Sequence, residues 1–328
     1  MRVIVYEHFS RGGAPKRTPR PLRAAGRAMR LAVGRDFAAL PGVRLLKLPA
    51  GEPEAVLAGA CGRGDAALVI APESQGTLER LASLVASCAT LPLGPGPRSV
   101  RLASDKQATM RLLKEAGVPV PPAARSGAAV VFKPRRGCGA EGVMVARRAS
   151  ERVRARRLAA RAARGDGIVT ERFVAGTAAS ASFLLRAGGD GSRPGDLLSL
   201  GLGRQELRGR LRLAYAGGEV PWTGAATEAS RAASREAVTA ARQAVTALAR
   251  ASGDLRGFVG VDLVMGAEGP VVIEINPRLT SSYLGLRRRF GPALARLMIQ
   301  AARGEPLPES LPGMGRWRFD AGGAVRPA

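Results

Sequence analysis

Residues Gly257 to Tyr283 read GFVGVDLVMGAEGPVVIEINPRLTSSY, and the alternation within this stretch decides the fold. From Phe258 to Met265 the chain alternates with a period of two, as a strand does. Phe258, Gly260, Asp262 and Val264 fall on one face, and Val259, Val261 and Leu263 on the other. Val271 to Asn276 alternates again. Between them Gly266-Ala267-Glu268-Gly269-Pro270 supplies the glycines and proline of a hairpin loop. Closing that loop symmetrically pairs Met265 with Val271 and therefore Asp262 with Glu274, and Asn276 follows on the same face. Two carboxylates opposed across a ladder repel each other unless a cation lies between them. Mg²⁺ suits such a place, because it takes oxygen ligands, keeps several waters and sits between one or two protein carboxylates and substrate phosphates. The plainer alternative is a hairpin with a solvated acidic face.

The chain has 328 residues, 46% of them hydrophobic, which is enough to bury a large core and to divide into two or three domains. No apolar run approaches the length of a membrane span, and the apolar strand Val3 to Tyr6 is too short for the core of a signal peptide. A cytoplasmic location with no membrane partner is the expectation. Cys61, Cys88 and Cys138 are odd in number and lack metal-site spacing, so they read as free thiols. The formal charge of +25 raises nucleic acid as a partner, and Arg147 to Arg164 (RRASERVRARRLAARAAR) is a dense basic helix candidate. Aromatic residues are only 4% of the chain and none interleaves this run, which argues against a nucleic-acid surface. A solvated helix face explains the run, since arginine and alanine both favour helix. Five lysines stand beside 46 arginines, and two of the five, Lys106 and Lys133, fall where phosphate chemistry wants a compact ammonium.

Along the chain, Val3 to Tyr6, Val43 to Leu48 and Ala66 to Ala71 read as strands separated by helices at Leu22 to Leu40 and Glu52 to Ala60. This is a parallel βαβ pattern. Leu91 to Pro97 reads as a linker. Ser104-Asp105-Lys106-Gln107 matches a capping box that opens a helix running to Ala116. Val130 to Lys133 and Val143 to Ala146 are predicted strands around a loop from Pro134 to Gly142, followed by a helix from Ser150 to Arg164, an α+β unit with the proportions of a lid. Ile168 to Val174, Ala179 to Arg186, Leu197 to Leu202 and Leu211 to Tyr215 are predicted strands of an antiparallel sheet. Thr227 to Ala251 is a long helix, Pro292 to Arg303 a last one, and a loose tail with Pro306, Pro308 and Pro312 follows. The expected division is an N-terminal βαβ domain over residues 1–98, a lid over 99–166 and a C-terminal domain with the metal site over 167–328.

The loop Gly137-Cys138-Gly139-Ala140-Glu141-Gly142 matches G-x-G-x-x-G, but its context is not that of a dinucleotide fingerprint. That motif needs a helix directly after it, and here a second strand follows. A glycine-rich loop between two strands instead lets main-chain amides close over phosphates, with Lys133 at the end of the preceding strand reaching the same phosphates.

These pieces, in this order, resemble the ATP-grasp superfamily of carboxylate–amine ligases over nearly the whole chain. The resemblance implies α/β and α+β architecture with an N-terminal parallel βαβ domain, a small lid and a C-terminal antiparallel-sheet domain. It further implies ATP as cosubstrate, with Mg²⁺ or Mn²⁺ as the metal. Lys106 in SDK and Lys133 in VVFKPRRGCGAEGV are similar to the family's phosphate lysines. Gly137, Gly139 and Gly142 belong to its phosphate loop. Glu171-Arg172-Phe173-Val174 fits the segment that holds adenine, with Glu171, Phe173 and the main chain around Val174 as contacts. Asp262, Glu274 and Asn276 resemble the metal ligands, and Arg278 of INPR the arginine that supports the transferred phosphoryl group. Ala178 departs from the pattern, since many members carry an acidic ribose ligand there.

Within the superfamily, VAGTAASASF, VIVYEHFSRGG and INPRLTSSY together resemble the branch that contains the tyramine–L-glutamate ligases of methanofuran biosynthesis. That implies glutamate and tyramine as the acid and amine substrates, joined through an acyl phosphate with release of ADP and phosphate. Another amino acid ligase of the superfamily is an alternative, and a nucleotide-dependent nucleic-acid-binding protein is a more distant one. His8, the only histidine, lies at the end of the first strand, where parallel sheets present ligands; a structural role is its other reading. Cys138 is either a thiol at the phosphate loop or a small residue that fills it.

Overall fold

The computed structural model describes residues 1–10, 18–222 and 227–328, so Arg11, Gly12 and Gly13 of the opening string lie outside the described residues. Val3 and Val5 of the first strand, β1 (Arg2–Glu7), point into one core, while Ile4 and Tyr6 point into another. A strand buried on both faces needs cover on both faces, as parallel sheets have. Helix α1 (Arg20–Ala38) supplies Met29, Val33 and Phe37 to the first core. On the other side α2 (Pro53–Cys61) brings Leu57 and Ala60, and α3 (Thr77–Ala86) brings Leu78, Leu81 and Val85. The sheet runs β2-β1-β3-β4, all parallel, with β2 at Arg44–Leu45, β3 at Ala66–Ile70 and β4 at Leu91–Pro92. The expected strand Val43 to Leu48 thus shrinks to two paired residues at the sheet edge. The expected linker at Leu91 to Pro97 begins as the opposite edge strand, where the missing amide of Pro92 is tolerated.

Pro97 sits at the first turn of α4 (Pro97–Ser104), where its fixed φ is suited to helix. The N-terminus of α4 is capped from far away in sequence: Arg98 N and Ser99 N each donate to the Asp254 carboxylate at 2.8 Å. Helix α5 (Lys106–Glu115) is capped by Asp105, whose Oδ1 accepts from Gln107 N and Ala108 N. The capping residue is therefore Asp105, one position after the Ser104 expected from the capping-box match, because Ser104 is the last residue of α4.

Strands β5 (Val130–Pro134), β6 (Met144–Ala146) and β7 (Ile168–Arg172) form a three-stranded antiparallel sheet in the order β6-β5-β7. The strand expected at Ile168 to Val174 in the large sheet pairs with β5 instead, in the smaller one. Helix α6 (Arg152–Ala163) covers this sheet through Ala155, Ala159 and Ala163, which recur at i, i+4, i+8 and are buried. Arg154, Arg156, Arg157 and Arg161 face solvent, so the basic run is a solvated helix face.

The large sheet has the order β12-β11-β8-β9-β10-β13-β14 and is antiparallel throughout. It contains β8 (Gly176–Leu185), β9 (Leu197–Arg208), β10 (Ala214–Val220), β11 (Gly257–Gly266), β12 (Gly269–Asn276), β13 (Trp317–Asp320) and β14 (Val325–Pro327). The tail expected to be loose supplies its last two strands. Residues 211–213, expected to open a strand of this sheet, bridge to the smaller one: Val145 N donates to Leu211 O at 2.7 Å and Leu213 N to Val143 O at 3.0 Å. Helix α7 (Glu228–Ser252) covers the sheet with Ala237, Ala240, Ala241, Ala244, Val245 and Leu248, the spacing of an apolar stripe. Helix α8 (Tyr283–Phe290), not anticipated from sequence, and α9 (Ala293–Ala302) join α1 in a shared core through Tyr283, Leu286, Leu294 and Met298. Among the described residues no helix is long and apolar enough to cross a membrane.

The decisive hairpin closes one residue tighter than the symmetric reading. Gly266 pairs with Gly269 and Met265 with Pro270, not with Val271. A bulge then restores the register, so Asp262 does face Glu274 and Gly260 faces Asn276. The extra residue is Ile273. A bulge leaves its extra residue out of the ladder, which frees the Ile273 carbonyl for another donor.

Candidate functional site

A cavity of about 910 Å³ opens between the parallel sheet, the three-stranded sheet and the exposed face of the large sheet. Asp262, Glu274 and Asn276 line it from β11 and β12, Arg278 from just beyond the end of β12, and Lys133, Glu171, Phe173 and Val174 from the smaller sheet and the segment that leaves it. Cys138 and Gly139 line it from the glycine-rich loop.

The carboxylates are held by a shared network. Gln205 Nε2 donates to Asp262 Oδ1 at 2.9 Å and Asn276 Nδ2 to Asp262 Oδ2 at 3.1 Å. Burial and the facing Glu274 carboxylate push the Asp262 carboxyl up to about 6. Glu274 is compensated from behind by Lys106, whose Nζ lies 2.9 Å from Oε1 and also donates to Gly137 O at 3.0 Å. Burial works to lower the Lys106 ammonium, but Glu274 outweighs it and the group is held above its ordinary value. Lys106 thus ties the acidic pair to the glycine-rich loop from outside the cavity lining.

Lys133 Nζ lies 2.8 Å from Glu171 Oε2 and donates to the freed Ile273 carbonyl at 3.3 Å. The second oxygen of Glu171, Oε1, is buried with no hydrogen-bond partner among the described residues. Arg147 stacks over the Phe173 ring, 4.9 Å from its centroid. Ala178 lines the cavity beside Val264, its partner across β8 and β11.

Arg278 is gripped by a residue that no motif in the sequence singles out. Glu73, buried just past the end of β3, accepts from Arg278 Nε at 2.7 Å and Nη2 at 3.3 Å. Burial works to lower the guanidinium, and the surrounding acidic groups, Glu73 foremost, together hold it above its ordinary value. Gln205 is equally absent from the sequence expectations; a single amide in mid-strand carries no motif. Glu73 carried a readable signal, since the carboxyl ends of parallel strands are where ligands sit.

The glycine-rich loop holds an unusual backbone. Gly139, Ala140 and Gly142 all have positive φ, at 63°, 60° and 75°. A Cβ on Gly142 would lie 2.5 Å from the Ala162 Cβ of α6, so only glycine lets this loop approach that helix. Burial raises the Cys138 thiol to about 12, which keeps it protonated and unreactive at neutral pH. His8 is not among the residues that line the cavity: burial lowers its pKa, with Glu54 and Arg80 as the charges that act on it.

The donor set suits Mg²⁺. Among the described residues no three histidine, cysteine, aspartate or glutamate side chains cluster as they would around a metal held by protein side chains alone. Two facing carboxylates and an amide are instead the partial set of a hard cation that takes its remaining ligands from water and phosphate.

A model of the ATP-grasp domain family matches residues 103–282, and one of the pre ATP-grasp 3 domain matches residues 32–100. The chain is 27% identical over 250 residues to a tyramine–L-glutamate ligase of Methanocaldococcus fervens, covering 74% of this chain and 68% of that protein. It is 45% identical over 53 residues to the corresponding protein of Methanocaldococcus jannaschii, 16% of this chain and 17% of the relative. In fold it is similar to an ATP-grasp superfamily protein from Archaeoglobus fulgidus, with a TM-score of 0.72 at 23% identity, covering 98% of this chain and 92% of the other. Since the matched domain spans more than half of the 328 residues and contains both the glycine-rich loop and the acidic hairpin, this chain belongs to the ATP-grasp family and is an ATP-dependent ligase.

Proposed function

We propose that the chain joins the side-chain carboxylate of glutamate to the amine of tyramine through an acyl phosphate, with release of ADP and phosphate. One observation carries the chemistry: Asp262, Glu274, Asn276, Lys133 and Arg278 border a single cavity. The substrate pair rests on the similarity to the tyramine–L-glutamate ligase of Methanocaldococcus fervens.

A carboxylate oxygen is a poor leaving group, so the acid must first be phosphorylated. Its oxygen attacks the γ-phosphorus of ATP and ADP departs. The reaction needs in-line positioning and charge neutralisation more than covalent help from the protein. Lys133 has three ammonium protons, and Glu171 and Ile273 O engage two; the third is left for phosphate. Arg278, fixed by Glu73, presents a charged guanidinium to the transferred group. Mg²⁺ bound at Asp262, Glu274 and Asn276 would neutralise phosphate charge there. Lys106 acts one step back, keeping Glu274 and the loop at Gly137 in place. Adenine lies against Phe173 and Val174, where the unpartnered Glu171 Oε1 can accept from its amino group. The amine then attacks the acyl phosphate, and the lid excludes water that would hydrolyse it.

The test is nucleotide release with defined substrates. Mg²⁺, ATP, glutamate and tyramine should yield ADP and phosphate in step with amide. AMP as the main product would overturn the mechanism; ADP release with a different acid or amine only would overturn the substrate pair.

A further inference from the structure

The cavity also reaches the carboxyl ends of the inner strands β1 and β3, where Glu7, Phe9, Pro21, Met29 and Ile70 line it together with Phe319 of β13. Phosphoryl transfer uses none of these. Glu7 is the one acid among them, the last residue of β1, and is only 1% exposed. Its oxygens accept from Phe9 N at 2.9 Å, from Ser10 N at 2.7 Å and from the Ser10 side chain, which among the described residues occupies three of about four lone-pair positions and leaves one. Glu73, Glu171 and Glu274 each face a lysine or arginine at 2.7 to 2.9 Å. Glu7 forms no such pair among the described residues. Burial raises its carboxyl, opposed by the Ser10 and Phe9 contacts and by the more distant charge of Arg30.

The chain is shaped around this carboxylate. A Cβ on Gly26 of α1 would stand 2.3 Å from Glu7 Oε1, so glycine at that helical position makes room for it. Glu7 also lies near the reaction. It pairs in register with Ile70, and Glu73, which grips Arg278, is three residues further on. That separation spans at most roughly 11 Å of chain. A buried anion with spare acceptor capacity, walled by apolar side chains, is matched by a cation on an apolar body.

We propose that Glu7 receives the incoming amine: its carboxylate binds the ammonium of a primary amine with an apolar body and takes the proton that frees the nitrogen to attack. This rests on the ligase reading above. The ammonium gives its first proton to Glu7. The neutral nitrogen then forms the C–N bond to the acyl carbon, the C–O bond to phosphate breaks with its electron pair on phosphate, and the second proton leaves with that phosphate. Glu7 returns its proton to solvent when the amide departs.

Hydroxylamine separates this step from the earlier chemistry, because it is uncharged at neutral pH and needs neither an anion to dock it nor a base to free it. Glu7→Gln should lower amide formation from glutamate and tyramine by at least about 100-fold in kcat/KM. Hydroxamate formation from glutamate and hydroxylamine should stay near the wild-type rate. Gly26→Ala, which displaces the carboxylate without removing it, should give the same split. Parallel loss of both reactions, or unchanged amide formation, would overturn the assignment. So would loss of the fold in both variants, since Glu7 would then serve only its turn. Absence of hydroxamate in the wild type would instead refute the ligase reading with glutamate.

Discussion

Glu73 fixes Arg278 from outside the motif that supplies Arg278, and that division makes the pair testable. Both side chains are buried, with side-chain exposures of 2% and 11%, and removing one partner of such a pair leaves an uncompensated charge. Glu73→Gln should lower stability by about 3 kcal/mol and cut kcat more than it raises KM for ATP, as read from urea unfolding and steady-state kinetics. A variant with wild-type kcat would remove Glu73 from the mechanism. Asp262 offers a second test at this scale. Its carboxyl is raised to about 6 in the fold, against about 3.9 in an unfolded chain. The stability associated with the protonated form is therefore present below about pH 4 and lost as pH rises through about 6. Without nucleotide or metal, Asp262→Asn should gain stability relative to wild type as pH goes from 4 to 7, while losing ligation. A stability difference that stays constant across that range in urea titrations would show that Asp262 is not held protonated.

At the scale of elements, the hairpin shows how much the sequence revealed and where it stopped. Alternation alone opposed Asp262 and Glu274, since a period of two fixes faces once a register is chosen. It could not reveal the tighter turn or the Ile273 bulge, because two offsets of one residue cancel in the pairing of Asp262 and Glu274. Yet the bulge supplies the carbonyl that receives Lys133. Sheet membership of β7 was equally hidden, since a short apolar strand carries no label for its neighbour. The tail strands β13 and β14 were obscured by the prolines before them. The glycine-rich loop was legible as a loop between two strands, which β5 and β6 are, whereas its contact with α6 needed three dimensions. That contact yields a prediction. At Gly142, where φ is 75° and an added Cβ would stand only 2.5 Å from α6, alanine should displace the loop at a cost of about 1 to 3 kcal/mol. KM for ATP should rise several-fold while Mg²⁺ dependence is kept; unchanged KM would mean the loop does not touch the nucleotide.

Over the whole molecule, buried charge joins the N-terminal layer to the C-terminal sheet at sites remote from each other in sequence. Glu73 meets Arg278 and Asp254 caps α4. Asp36 of α1 accepts from Tyr283 Oη at 2.6 Å and from Arg287 Nε at 2.8 Å and Nη2 at 2.5 Å. The first tie borders the cavity and the third does not, so chemistry and assembly should separate by mutation. The charge of +25 belongs to a different level, since arginines exposed on α6 act at long range and attract anionic nucleotide without fixing it. Asp36→Asn keeps the shape of the side chain but leaves Arg287 without its counter-charge beside a buried tyrosine. Stability should fall by about 3 kcal/mol, seen as an earlier urea midpoint. Turnover per folded molecule, measured at low temperature where the variant remains native, should match wild type. Loss of turnover with an unchanged unfolding midpoint would mean that Asp36 acts on the cavity through α8, and that the tie between the layers tunes catalysis as well as the fold.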